Sequence, residues 1–260
     1  FTFSSLAVLD IYFIFFTTMS FYFYSRGRVA MSASTSALGA VSKMTAVLTF
    51  PILAAYHAAL HRCHHLKDCN RWKPMAIWAF VFTISFLFFL YAFDRVYRHP
   101  NSIDYANPIE HLRFMLETHA SKSWDKSAGS EPWRWLLSPG NYYLGGVSLV
   151  RNTFLETFNP FTLGLCFASI PYAFYHFVKQ RDRASLLSLI WFSIGYFVWF
   201  PTYFLFTRPL YSFYVITVIP AVAISNSTMF GKDAKTSLFY ILATIAYFLL
   251  FQYPIRLIWT

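Results

Sequence analysis

Residues 74–93 read PMAIWAFVFTISFLFFLYAF, twenty residues without a charge, set between Lys73 and Asp94. A helix rises 1.5 Å per residue, so this run is about 30 Å long, the thickness of a bilayer's hydrocarbon core. Working outward from it, similar apolar runs occur at 6–24, 29–41, 45–60, 159–178, 184–200, 210–225 and 237–253. The runs at 29–41 and 45–60 are short for full crossings and are expected to be tilted or continuous with interfacial helix. The whole chain repeats the pattern: 57% of its 260 residues are hydrophobic, 22% aromatic and 12% charged. That charge content is about half the ~25% of a soluble domain, and a water-soluble fold could not hide so much apolar surface. The expected fold class is an all-α integral membrane protein with about eight transmembrane helices and one large extracytoplasmic loop subdomain. Its organisation is N-terminal helices over 1–93, a loop subdomain with interfacial helices over 94–158, and C-terminal helices over 159–260.

The connections orient these runs. Alternate loops at 25–28, 61–73, 179–183 and 226–235 hold eleven Lys/Arg against three Asp. Lys and Arg near span ends are retained in the cytoplasm, which assigns these loops to that face. Most of the net charge of +10 sits in them. Topology and attraction to anionic membrane lipids account for it, so no nucleic-acid partner is implied. The opposite face receives 94–158, with seven Lys/Arg and seven Asp/Glu. It is too long for a simple connector, and its Trp124, Trp133 and Trp135 point to an ordered subdomain resting on the membrane. No basic region precedes the first apolar run and no small-residue cleavage site follows it, so it does not read as a secretory signal peptide. The localisation that follows is multi-pass, in the plasma membrane or the endoplasmic reticulum.

Cys63, Cys69 and Cys166 are odd in number and indicate no disulfide framework. The loop His61-Arg62-Cys63-His64-His65-Leu66-Lys67-Asp68-Cys69 offers thiol and imidazole groups, but their spacing matches no standard zinc finger. It reads as an interfacial basic loop, and no metal site is assigned.

Every Lys, Arg, Asp and Glu falls in a loop except four: Asp10, Lys43, Arg208 and Arg256. Charges within or at the edge of a span cost a few kcal/mol and are functional hypotheses by default. Alternation of the runs carries all four to the face of the long loop. An acid with several cations there suits an anionic headgroup and a proton transfer. The competing readings are a helix-capping role for Asp10 and snorkelling to the headgroups for Lys43, Arg208 and Arg256.

Four local patterns carry a family resemblance. They are Leu9-Asp10 opening a span, Ala37-Leu38-Gly39-Ala40-Val41-Ser42-Lys43, Glu131-Pro132-Trp133-Arg134-Trp135-Leu136, and Thr207-Arg208-Pro209-Leu210-Tyr211-Ser212-Phe213-Tyr214 followed by Ile219-Pro220. Their order resembles the polyprenyl-phosphate-dependent GT-C glycosyltransferases, in particular the dolichyl-phosphate-mannose–protein mannosyltransferases and their prokaryotic relatives. The resemblance implies transfer of a sugar, most simply mannose, from a polyprenyl- or dolichyl-phosphate donor to a protein Ser/Thr hydroxyl on the extracytoplasmic face. Asp10 would be the catalytic or acceptor-side acid, and Arg208 with Lys43 would bind the donor phosphate. Trp133, Trp135, His111, Tyr211 and Tyr214 would contact acceptor or sugar, against an aromatic-belt role for the two tryptophans. No cofactor is firmly implied, and a divalent cation is left open.

Two departures qualify the resemblance. The family's principal acidic motif, in its first external loop, has no match, so preceding spans are expected upstream of Phe1. The family's late His-Tyr pair is replaced by Phe213-Tyr214. The alternatives are aminoarabinose-type transfer to a lipid acceptor, a non-catalytic subunit of a membrane complex, and a transporter. A transporter would place its charges nearer the midplane and show two similar halves.

Overall fold

The computed structural model describes residues 2–61, 69–96, 105, 107–121, 131–136, 160–205, 210, 212–231 and 233–247. Among them every regular element is helical and no strand forms. Four stretches are long and apolar enough to cross a membrane: Met44–His61, Trp72–Val96, Phe161–Gln180 and Arg183–Leu205. Val29–Ser42 and Tyr214–Phe230 are shorter apolar helices. The chain divides into two compact units, Phe1–Ser123 and Trp124–Thr260.

The first unit contains α1 (Thr2–Ser25), α2 (Val29–Ser42), α3 (Thr49–His61), α4 (Cys69–Val96) and α5 (Pro108–Ser121), with a 3-10 turn Met44–Leu48 leading into α3. The turn between α1 and α2 is a glycine-terminated cap. Gly27 adopts the left-handed φ of 73°, Arg28 N–H donates to Phe23 O and Gly27 N–H to Tyr24 O, each at 2.9 Å. This double bond pattern closes a helix where only glycine turns without steric cost. The buried face of α2 is small throughout: Ser32, Ala33, Ser36, Ala37, Gly39 and Ala40. A smooth face lets neighbouring backbones approach and lets hydroxyls bond across helices. A Cβ on Gly39 would stand 3.3 Å from the Ala46 Cβ and 3.4 Å from the Phe16 Cβ. Ser20 Oγ bonds Ser32 O at 2.8 Å, Trp78 Nε1 donates to Ser32 Oγ at 2.9 Å, and Ser34 and Ser85 meet at 3.1 Å. The small helix α2 is therefore seated between α1 and α4.

The second unit contains a π-helical stretch Pro160–Gly164, α6 (Cys166–Gln180), α7 (Arg183–Phe197), α8 (Trp199–Leu205), a 3-10 stretch Ser212–Val218, α9 (Ile219–Phe230) and α10 (Ala234–Tyr247). Arg181 takes a left-handed φ of 55° and closes α6. Asp182 then caps α7, accepting from Ser185 N–H and Ser185 Oγ at 2.8 Å each. Burial alone would raise the Asp182 carboxyl, but its bonds from Ser185 and the Ala184 N–H, with His176 nearby, hold it below its ordinary range. Along α7 and α9, Ser188 bonds Ala221 O at 2.8 Å and Ser225, while Trp191 Nε1 donates to Thr217 O at 2.9 Å. The seam between these helices is polar and neutral.

Outward faces are apolar in both units. Phe80, Ile84 and Phe88 on α4, Phe167 and Phe174 on α6, and Leu238, Phe239 and Leu242 on α10 are all exposed. Faces of this kind suit lipid, whereas soluble monomers keep apolar patches small. One sequence expectation shifts: Asn226, assigned to a loop, lies in α9 and is buried, donating to Thr162 O at 3.2 Å and Tyr240 OH at 3.0 Å. Both bonds are made by its Nδ2, which offsets the burial of that donor group, while its Oδ1 is buried with no partner among the described residues.

Candidate functional site

Lys43 is placed by a break in the helix. Its backbone is extended, with φ −155° and ψ 121°, while its N–H closes the last turn of α2 on Gly39 O at 2.8 Å and its carbonyl accepts from Ala46 N–H at 3.0 Å. The chain thus leaves α2 at Lys43 and starts the next turn at once. From the Ser20–Ser32 contact, Asp10 lies ten residues along α1 and Lys43 eleven residues along α2, so both are displaced by about 15–17 Å toward the same end. There Lys43 Nζ donates to Asp10 Oδ1, with the two side chains 17% and 13% exposed. Removing each charge from water costs several kcal/mol, which only a close partner offsets. Within this net-neutral pair, Lys43 is a compact cation held against apolar helices by a fixed acid. An ammonium so placed can receive a phosphate as a point charge.

A second polar cluster forms at the end of α4. Asp94 faces His111 Nδ1 with both carboxylate oxygens, at 2.9 and 3.0 Å, and Tyr105 stacks on the imidazole with ring centroids 4.1 Å apart. Sequence places His111 here through a local start signal: Asn107 Oδ1 accepts from Glu110 N–H at 2.9 Å, and Pro108 occupies the first helical turn of α5. Burial first, and then the charges of Asp94 and Glu110, push the Tyr105 phenol above its ordinary value. It therefore stays a neutral donor well into the alkaline range. Ser34 and Ser85 tie α2 to α4, and Lys43 and Asp94 each lie nine residues beyond them, about 14 Å. Asp10, Lys43, Asp94 and His111 thus gather at one end of the first unit.

The Pro-Trp-Arg-Trp stretch is seated within the second unit. Its two tryptophans have different fates. Trp135 is 1% exposed, its ring meeting Trp199 at 6.3 Å and Tyr214 at 6.2 Å, and Trp199 stacks on Tyr214 at 4.4 Å. Trp133 is 40% exposed and lies on Tyr203 at 5.3 Å and Phe204 at 6.1 Å. Tyr196 fixes the stretch by donating its hydroxyl to Pro132 O at 2.8 Å. Trp133 thus lies part-exposed on Tyr203 and Phe204, while Trp135 packs into a separate cluster with Trp199 and Tyr214.

The structure therefore brings Asp10 to Lys43, His111 to Asp94, and Trp135 to Tyr214. Arg208, Tyr211, Arg256 and the loop cysteine Cys63 lie outside the described residues, as does most of 94–158. Among the described residues no three His, Cys, Asp or Glu side chains group to hold a metal ion. Sequence reasoning missed Asp94 as a site residue, counting it only as the first residue of the long loop. The available signal was an acid at the very end of an uncharged run, ahead of a capped helix carrying a histidine.

No family model, curated protein or solved structure matches this chain.

Proposed function

We propose that this chain is a multi-pass integral membrane glycosyltransferase of about eight spans, in the plasma membrane or endoplasmic reticulum, with the face of the 94–158 loop extracytoplasmic. Its donor would be a polyprenyl- or dolichyl-phosphate sugar, most simply mannose, and its acceptor a protein Ser/Thr hydroxyl. The observation that carries the reading is the Asp10–Lys43 pair, two charges largely withdrawn from water between helices that otherwise pack through small and apolar residues. Packing alone gives no reason for such a pair, because similar helices associate through hydroxyls and small side chains at lower cost.

In this reaction the acceptor oxygen attacks the sugar's anomeric carbon, and the bond from that carbon to the donor phosphate breaks. The phosphate leaves with the electron pair, so cations belong where it departs. Lys43, anchored by Asp10, would serve as such a cation, and the family resemblance assigns a phosphate-binding role to Arg208 as well. Asp10 would also act as the acceptor-side acid that the resemblance implies. Trp133, part-exposed and seated on Tyr203 and Phe204, would offer a face to sugar or acceptor, and Trp135 with Tyr214 would do so only at the edges of their buried cluster.

The test is transfer of labelled mannose from a dolichyl phosphate donor to a Ser/Thr peptide, in membranes containing the full-length protein. Transfer is expected in the wild type and loss on Arg208→Ala. Unchanged transfer in that variant removes Arg208 from the mechanism. No transfer from any polyprenyl-phosphate sugar ends the enzyme reading.

A further inference from the structure

Within the glycosyltransferase reading, on which this inference rests, the proton of the acceptor hydroxyl still needs a destination. One Asp10 oxygen is occupied by Lys43. The other acid at the same end, Asp94, has both oxygens on His111 Nδ1. An imidazole whose Nδ1–H donates to a carboxylate has its tautomer fixed, with the Nε2 lone pair left to accept a proton. The described residues supply no hydrogen-bond partner to Nε2, and His111 is 18% exposed, Asp94 14%. The ring is also held in plane by Tyr105, at an interplanar angle of 5°. A histidine oriented by a carboxylate, locked by a stacked ring and still reachable is built as a proton acceptor.

We propose that His111, positioned by Asp94, is the general base for the acceptor hydroxyl. As the acceptor oxygen forms its bond to the anomeric carbon, its proton passes to His111 Nε2. The carbon–oxygen bond to the donor phosphate breaks and its electrons leave on that phosphate. The imidazolium is stabilised by Asp94, and Lys43 faces the leaving anion. Asp94 is a positioning residue, acting through His111. Among the described residues, the titratable groups against the imidazole are Asp94 from α4 and Tyr105 from the segment before α5, while Glu110, next to His111 in sequence, acts on Tyr105. Of these, only Asp94 bonds it.

The experiment compares wild type, His111→Gln and Asp94→Asn in membranes, measuring mannose transfer against pH and, separately, binding of the labelled dolichyl-phosphate donor. Wild-type kcat/KM is expected to show an acid-side limb, where a protonated imidazole cannot accept. His111→Gln is expected to abolish that limb and to lower kcat by about 100-fold or more, the usual contribution of a general base. Donor binding should persist in that variant, which shows that it is folded. Asp94→Asn keeps the side chain's size and should lower kcat similarly while leaving donor binding intact. Wild-type turnover with an unchanged rate and pH profile in His111→Gln overturns this inference alone. Absence of both donor binding and turnover in the wild type overturns the glycosyltransferase reading and the inference with it.

Discussion

The two units solve the problem of joining apolar helices in different ways. In the second, the buried seam along α7 is neutral, through Ser188 to Ala221, Trp191 to Thr217 and Tyr196 to Pro132, and its Asp182–His176 contact lies at the partly exposed turn that caps α7. In the first, the same kind of seam runs through Ser20, Ser32, Ser34 and Ser85, but at one end it gives way to Asp10–Lys43 and Asp94–His111. Neutral bonds satisfy buried backbone and hydroxyl groups at little desolvation cost, whereas a charge pair costs several kcal/mol per ion before it attracts anything. The seams are structural, and the charged end is where function is to be sought.

The sharpest way to break that contrast is Lys43→Met. It should lower transfer at least 100-fold, as loss of a group facing developing charge does, and should destabilise the protein by about 3–5 kcal/mol by leaving Asp10 unpaired. The double variant Asp10→Leu/Lys43→Met should recover most of that stability without recovering transfer. Thermal unfolding in detergent, set beside the transfer assay, separates the two effects.

In the second unit, Tyr196→Phe should cost about 1 kcal/mol through the lost bond to Pro132 O, with no comparable loss of donor binding. The same unfolding measurement reads it. If it removed activity as completely as Lys43→Met, the division between structural seam and functional end would fall.

The cap of α7 gives a smaller, pH-dependent effect. The folded Asp182 carboxyl lies below its ordinary value of 3.8, so its contribution is present above that value and is lost as pH falls through the lower, folded one. Asp182→Ala should cost about 1 kcal/mol at neutral pH. The difference between variant and wild type should shrink below about pH 4, as unfolding followed down the acid range would show. Smallest of all is Arg113→Ala. Its bond to Glu117 at 2.6 Å lies on an exposed helix face, where ion pairs contribute little, and no measurable change in melting temperature is expected.

Much of the helical framework was legible in the sequence because lipid-compatible runs announce themselves by length and lack of charge. The run at 74–93 became the core of α4, which extends to Cys69–Val96. The ends were less legible. Caps such as Asp182 and breaks such as Lys43 depend on backbone geometry that hydropathy does not encode, and Asn226 looked like a loop residue until its two partners were placed. The expectation that Asp10 and Lys43 share one end was a statement about run alternation; their contact depends on α2 stopping at Lys43. Asp94–His111 was not legible, because seventeen residues separate the two and only the start of α5 at Asn107 folds one onto the other. The alternation in Pro132-Trp133-Arg134-Trp135 likewise gave no sign of which ring would be enclosed, since that is decided by Trp199 and Tyr214 packing from elsewhere in the chain.

The central claim, that the charged end of the first unit is catalytic, is tested most directly by mannose transfer from a dolichyl phosphate donor to a Ser/Thr peptide in membranes carrying the full-length protein with Lys43→Met. The account predicts wild-type turnover and a loss of at least about 100-fold in the variant. Wild-type turnover left intact by that substitution would contradict it.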